Sequence, residues 1–189
     1  MCVADWEFAA SAMRGVGVWW AIAGGWAIDL WLGEQTREHH DVEVVVKRQD
    51  QLALRPGLVH EWELQCLDPP GSAWKPWGGE RIDLPAFQLQ ARSSSSEFDI
   101  FLETTLDDYW RFRRDDRIER PLSEFTTITA AGVPVVRPEV QLLYMAKSSE
   151  PKNADDFAVT RPRLDDQATS WLARSLALVH PGHPWLQQL

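Results

Sequence analysis

The sequence predicts an α/β (α+β) fold: a mixed sheet flanked by helices, with a short helical part at the C-terminal end. Three observations carry that prediction. The stretch from Trp19 to Lys47, WWAIAGGWAIDLWLGEQTREHHDVEVVVK, reads as strand, tight turn, helix, loop and strand in succession. Two later segments, His60 to Leu67 and EFDIFLE from Glu97 to Glu103, alternate with the period of two that marks a strand. From Arg137 onward the apolar spacing becomes helical and prolines divide it into segments.

Taken in order, Trp6, Phe8, Ala9, Ala10 and Met13 give Asp5 to Arg14 an apolar face, which predicts an opening helix packed on the sheet. Ala21 to Ala23 form a buried strand, Gly24 and Gly25 a turn, Trp26 to Leu32 a helix and Gly33 its stop. Val42 to Val46 is the next strand. RQDQLALR reads as a helix ending at Pro56-Gly57, followed by the strand at 60–67. The Pro-, Gly- and Trp-rich run from Asp68 to Glu80 reads as a long loop or a lid beside the site. FTTITAAGVPVV reads as a hairpin around Ala131-Gly132. Arg137-Pro138-Glu139 then opens a helix continuing to Lys147, and two further helices follow, starting near Pro151 and near Leu164 or Asp165. The boundary expected from this pattern divides the chain into an α/β domain over 1–136 and a helical subdomain over 137–189.

Composition narrows the partners. The chain has 189 residues, 44% of them hydrophobic and 25% charged, which is enough to bury a core. A net charge of -9 argues against a broad nucleic-acid-binding surface, which needs clustered Lys and Arg. Cys2 and Cys66 are too few and too isolated for a disulfide framework or a zinc cluster, and they imply a reducing, cytoplasmic setting. The apolar run from Val16 to Leu32 contains Asp29 and the Gly-Gly pair, so neither a membrane span nor a secretory signal is expected. The oligomeric state is not readable.

The chemistry concentrates in the central stretch. On a strand, residues two apart share a face, so Asp41 and Glu43 lie side by side while Val42 and Val44 face the other way. Adjacent carboxylates repel and call for a cation, and oxygen donors at this spacing suit Mg²⁺. A Gly-Gly turn opening a helix is the complementary half, because backbone N–H groups and the helix dipole favour phosphate. Together they point to a nucleoside triphosphate held between glycines and metal. Asp99 lies on a face with Glu97, Phe101 and Glu103 and becomes the third carboxylate, metal ligand or base, if its strand lies beside that of Asp41.

The residues GGWAIDLWLG followed by TREHHDVEV resemble the nucleotidyltransferase superfamily pattern of a Gly-Gly turn and helix with Asp-x-Asp/Glu on the next strand. The GGWA turn and the Arg37-x-His39-x-Asp41 lead-in are similar to the branch containing aminoglycoside 2″-adenylyltransferases, lincosamide nucleotidyltransferases and many uncharacterised bacterial relatives. FDIFLE, YWRFRRDDRI and RPEVQLLYMAK extend the likeness to those relatives. The resemblance implies a nucleotidyltransferase-type sheet and transfer of a nucleoside monophosphate from an NTP, ATP being the expected one, to a hydroxyl of a small acceptor, cationic or neutral, such as an aminoglycoside- or lincosamide-like antibiotic. It implies Asp41, Glu43 and Asp99 as metal-holding and catalytic residues, and Gly24, Gly25, Arg37, His39 and Lys147 as nucleotide-side residues. The sequence departs from the pattern twice: Glu43 replaces the commoner Asp, and no Ser follows the glycines.

Two other readings keep the fold. One is a toxin-like enzyme that nucleotidylates RNA or protein. The other is a non-catalytic nucleotide-binding or regulatory domain, for which Glu43 is the hint. In the YWRFRRDDR strip, alternating aromatic and basic residues suit either base or phosphate contact or a strand with a solvated face.

Overall fold

A computed structural model describes residues 5–189. Met1 to Ala4, and with them Cys2, lie outside the described residues. Helix α1 (Trp6–Val16) is capped by Asp5, whose carboxylate accepts from the Glu7 N–H, and it ends at Gly17 in the left-handed region. Strand β1 (Trp20–Ala23) runs directly into α2 (Gly24–Leu32), which Gly33 closes with φ 81. Strand β2 (Glu43–Lys47) follows.

Arg48–Ala53 is a 3-10 turn leading into the short helix α3 (Leu54–Leu58), so Pro56 and Gly57 lie inside a helix rather than ending one. Pro56 stands in the first turn, where its missing N–H has no intrahelical partner to lose. A Cβ on Gly57 would press against the Val16 backbone at 3.0 Å, so this glycine lets α1 and α3 approach closely.

Strands β3 (Glu63–Leu67), β4 (Lys75–Pro76), β5 (Gln88–Arg92), β6 (Glu97–Leu106), β7 (Tyr109–Arg111), β8 (Glu119–Pro121), β9 (Thr126–Ile128) and β10 (Pro134–Val136) complete the sheet. Its order is β4-β3-β5-β6-β2-β1-β10-β9, with β7 and β8 continuing from the far end of β6. Most neighbours are antiparallel, but β2 runs parallel to β6 and β1 parallel to β10, which makes the sheet mixed. The expected hairpin is β9–β10, with Gly132 at φ 74 in its turn.

Alternation along the strands sorts side chains into two cores. Ile22, Val44, Val46, Phe98, Ile100 and Leu102 pack beneath α1 and α3. On the other face Ala21, Ala23 and Val45 pack with Val140, Leu143, Phe157 and Leu172, which come from α4 (Pro138–Met145), α5 (Pro151–Thr160) and α6 (Asp166–Val179). The second face is where the strands also carry their acids. The run 68–80 is anchored by Trp77, buried in the first core, and adds the short edge strand β4. None of its residues lines the cavity described next.

Candidate active site

A cavity of ≈ 330 Å³ opens on the second face at the end of β1 and β2. Ala23, Gly24, Gly25, Asp41 and Glu43 line it together with Arg113, Arg114, Tyr144 and Lys152. Parallel pairing sets Glu43 directly beside Asp99 on β6, and neighbouring strands stand about 4.8 Å apart. Val42 is buried in the first core while Asp41 is exposed, as the alternation requires. The three expected carboxylates therefore lie on one face at one end of the sheet, with Asp41 and Glu43 lining the cavity and Asp99 beside Glu43 but outside the lining.

Their surroundings leave them short of positive charge. Burial, followed by the fields of Asp41 and Asp99, raises the Glu43 carboxyl to about 7. Burial likewise raises Asp99 to about 6, against two amide hydrogen bonds that lower it. Gln88 Nε2 donates to Asp99 Oδ2 and Gln90 Nε2 to Oδ1, both at 3.1 Å, drawing this carboxylate toward β5. Among the described residues no three His, Cys, Asp or Glu side chains are gathered closely enough to hold a metal ion. In donor type and in charge the set still fits a hard divalent cation: oxygen ligands on one face, two with raised affinity for a proton in place of other positive charge.

The other expected residues serve one another. Arg37 Nε and Nη2 donate to the two carboxylate oxygens of Asp156, both at 2.8 Å, and Asp156 is almost fully buried. That hydrogen-bonded pair raises the Arg37 pKa. Asp156 thus holds Arg37. His39 is buried, its Nε2 donates to Asp29 Oδ2 at 2.5 Å, and its ring lies against Trp26 with centroids 4.4 Å apart. Asp29 also accepts from the Thr36 hydroxyl at 2.6 Å; burial would raise its pKa, but the bonds from His39 and Thr36 outweigh burial and hold it low. His40 is exposed.

The glycines have packing reasons of their own. A Cβ on Gly24 would sit 2.5 Å from Glu43 Oε2, and one on Gly25 would run into Arg37 and His39. The Gly24 N–H, expected to face phosphate, donates instead to Gln141 Oε1 at 3.0 Å in a buried contact.

Lys147 is not among the cavity-lining residues. It follows the last turn of α4, which stops at Met145, and is exposed. The cations that do line the cavity are Arg37, Arg113, Arg114 and Lys152. Sequence reading had flagged the YWRFRR strip without assigning Arg113 or Arg114, and it passed over Gln88, Gln90 and Glu103. For Glu103 the signal was present, since it shares the Asp99 face of the EFDIFLE alternation.

The fold is that of the nucleotidyltransferases. Residues 9–63, which contain both the glycine turn and the Asp41/Glu43 pair, match the family model described as aminoglycoside-2″-adenylyltransferase. No curated protein matches the sequence. Among solved structures the chain is similar to ANT(2″)-Ia in complex with adenylyl-2″-tobramycin, with TM-score 0.58 and 15% identity over 92% of this chain and 94% of that one. A solution structure of ANT(2″)-Ia gives TM-score 0.56 and 14% identity over 95% and 99%. The lincosamide antibiotic adenylyltransferase LnuA, lincomycin-bound, gives 0.57 and 15% over 80% and 91%. The family model and these structures belong to the branch that the GGWA turn and the Arg37-x-His39-x-Asp41 lead-in resemble.

Proposed function

We propose that this protein is a Mg²⁺-dependent nucleotidyltransferase that moves a nucleoside monophosphate from an NTP, ATP first among them, to a hydroxyl of a small molecule. The observation that carries the reading is the pairing of Glu43 with Asp99 on adjacent parallel strands, with Asp41 two residues before Glu43 on the same face. Titratable groups displaced toward neutral pH in a cleft mark functional sites more often than structural ones. The fold, shared with adenylyltransferases that bind antibiotics, supports the acceptor class of hydroxylated, aminoglycoside- or lincosamide-like compounds.

Asp41 and Glu43 would hold the cation, with Asp99 as the third oxygen donor or as the base that receives the acceptor's proton. When bound, the ion neutralises triphosphate charge and stabilises the pyrophosphate leaving group. Glu43, its carboxyl raised to about 7, would release its proton readily near neutral pH to serve as an oxygen donor. Gln88 and Gln90 fix the orientation of Asp99, so its oxygens are presented without rotamer search. Arg37, paired with Asp156, and His39, paired with Asp29, fix the loop that delivers Asp41 to the cleft.

A screen for Mg²⁺-dependent pyrophosphate release, run over the four nucleoside triphosphates and a panel of hydroxylated amines, tests the reading. Turnover is expected with at least one pair and its loss in Asp41→Asn, by on the order of a thousandfold or more. Full activity in that variant overturns the assignment.

A further inference from the structure

One backbone N–H of the glycine turn is already engaged, so a polyanion in this cavity gains from further positive charge. Gly24 already gives its N–H to Gln141, and Glu43, Arg37 and His39 occupy the space that a Cβ on either glycine would need. The glycines let these side chains pack against α2.

In the same cavity Arg113 lies in an aromatic box. Its guanidinium carbon is 4.1 Å from the centre of the Phe87 ring, 5.2 Å from Phe101 and 4.7 Å from Tyr144. Such a box holds a planar cation at a fixed attitude while leaving its N–H edge free. Among the described residues its hydrogen-bond acceptor is Glu103 Oε1, at a long 3.4 Å. Glu103 itself is more firmly engaged elsewhere, accepting from Trp110 Nε1 and from the Tyr144 hydroxyl, both at 2.7 Å. The Tyr144 phenol stays protonated, because burial and then Glu103 push its pKa well up. Glu103 therefore meets Arg113 through one long bond, and among the described residues the other guanidinium donors have no acceptor.

Arg114 adds a second cation beside the first. It has no carboxylate partner among the described residues and donates through Nη1 to the Tyr144 carbonyl at 2.9 Å. Burial, and then the neighbouring Arg113, lower its pKa. Lys152, at the start of α5, lines the same cavity, and among the described residues its one ion-pair partner is the exposed Glu150 at 3.3 Å.

We infer that Arg113, Arg114 and Lys152 form the polyphosphate-binding wall of this cavity, with Glu103 and Tyr144 as positioning residues for Arg113. This rests on the nucleotidyl-transfer reading for its biological ligand, a nucleotide's triphosphate and the pyrophosphate released from it, but not for its test.

The probe is inorganic tripolyphosphate, titrated calorimetrically into the full chain without metal and again with Mg²⁺. Arg113→Met is expected to weaken binding on the order of ten- to a hundredfold, the range for charge-assisted hydrogen bonds. Arg113→Lys should recover only part of it, since a lysine keeps the charge and loses the planar fork. Lys152→Met, a change at a half-exposed side chain, reads the same wall without threatening the fold and should cost severalfold. Tyr144→Phe removes a bond to Glu103 and should weaken tripolyphosphate binding severalfold, with restoration of neither affinity nor its salt dependence by added stabilising osmolyte. Wild-type affinity in folded Arg113→Met, or in Lys152→Met should the first variant not fold, overturns the inference. Failure of the transfer reading looks different: tripolyphosphate binds and responds to these variants, yet no nucleotide releases pyrophosphate.

Discussion

Two sets of charged residues from one short stretch of sequence behave in opposite ways. Arg37, His39 and Asp29 each find a partner inside the protein, at 2.8 Å or less, and the pairs Arg37–Asp156 and His39–Asp29 are closed units. Asp41 and Glu43, only a few residues on, join Asp99 in a like-charge cluster that burial makes worse. The first set is satisfied by folding and the second is not. The like-charge cluster costs folding free energy, and the cation of the proposed reaction would offset that cost.

The sharpest way to break this contrast is to neutralise each set in turn. Glu43→Gln should cost on the order of a thousandfold in turnover while leaving the protein as stable as before or more so, measured by pyrophosphate release and by thermal melting. Loss of both activity and stability would place Glu43 with the structural set.

Arg37→Met should do the reverse in stability. It strands the buried Asp156 carboxylate, and removing one partner of such a pair costs about 3 kcal/mol, somewhat less here because Arg37 itself is partly exposed. Urea denaturation measures it, and a change under about 0.5 kcal/mol would show that the pair contributes little.

The pH dependence separates the sets further. Folded protein keeps a proton on Glu43 up to about 7, whereas the unfolded chain releases it near 4.5. Between those values the native state binds more protons than the unfolded state, so stability in chelator should fall as pH rises through that window. Asp99 adds to the same slope from 3.8 to about 6. At about 1.4 kcal/mol per pKa unit the Glu43 contribution is roughly 3 kcal/mol at most. Glu43→Gln should flatten the curve and melt higher than wild type at pH 8; an unchanged slope would contradict the assignment.

The smallest expected effect lies in the satisfied set. Thr36→Val removes one hydrogen bond to Asp29 and should cost about 1 kcal/mol, read by denaturation, with turnover little altered.

Much of this was legible in the sequence where one periodicity or one terminator decided the outcome. Alternation put Asp41, Glu43, Asp99 and Glu103 on one face, and Gly33 stopped α2 where expected. What could not be read depended on contacts between distant segments. Strand β5 was missed because QLQAR alternates for only five residues beside Leu84-Pro85, and its meaning, two amides on Asp99, appears only once β5 pairs with β6. Lys147 and Lys152 are equally plausible as charges, and only the end of α4 at Met145 decides between them. The glycine turn looked open to a ligand because sequence shows which residues lack a Cβ but not which neighbour fills the gap.

The Arg37–Asp156 contact spans 119 positions along the chain. It fastens the loop that leads into the acid pair to a helix near the other end of the molecule. A fragment ending at Val136 would keep the glycine turn and the acid pair and still leave that guanidinium without its counter-ion. The final fifty or so residues are thereby a working part of the cleft's assembly, and a shortened chain should fold poorly around the very residues it retains.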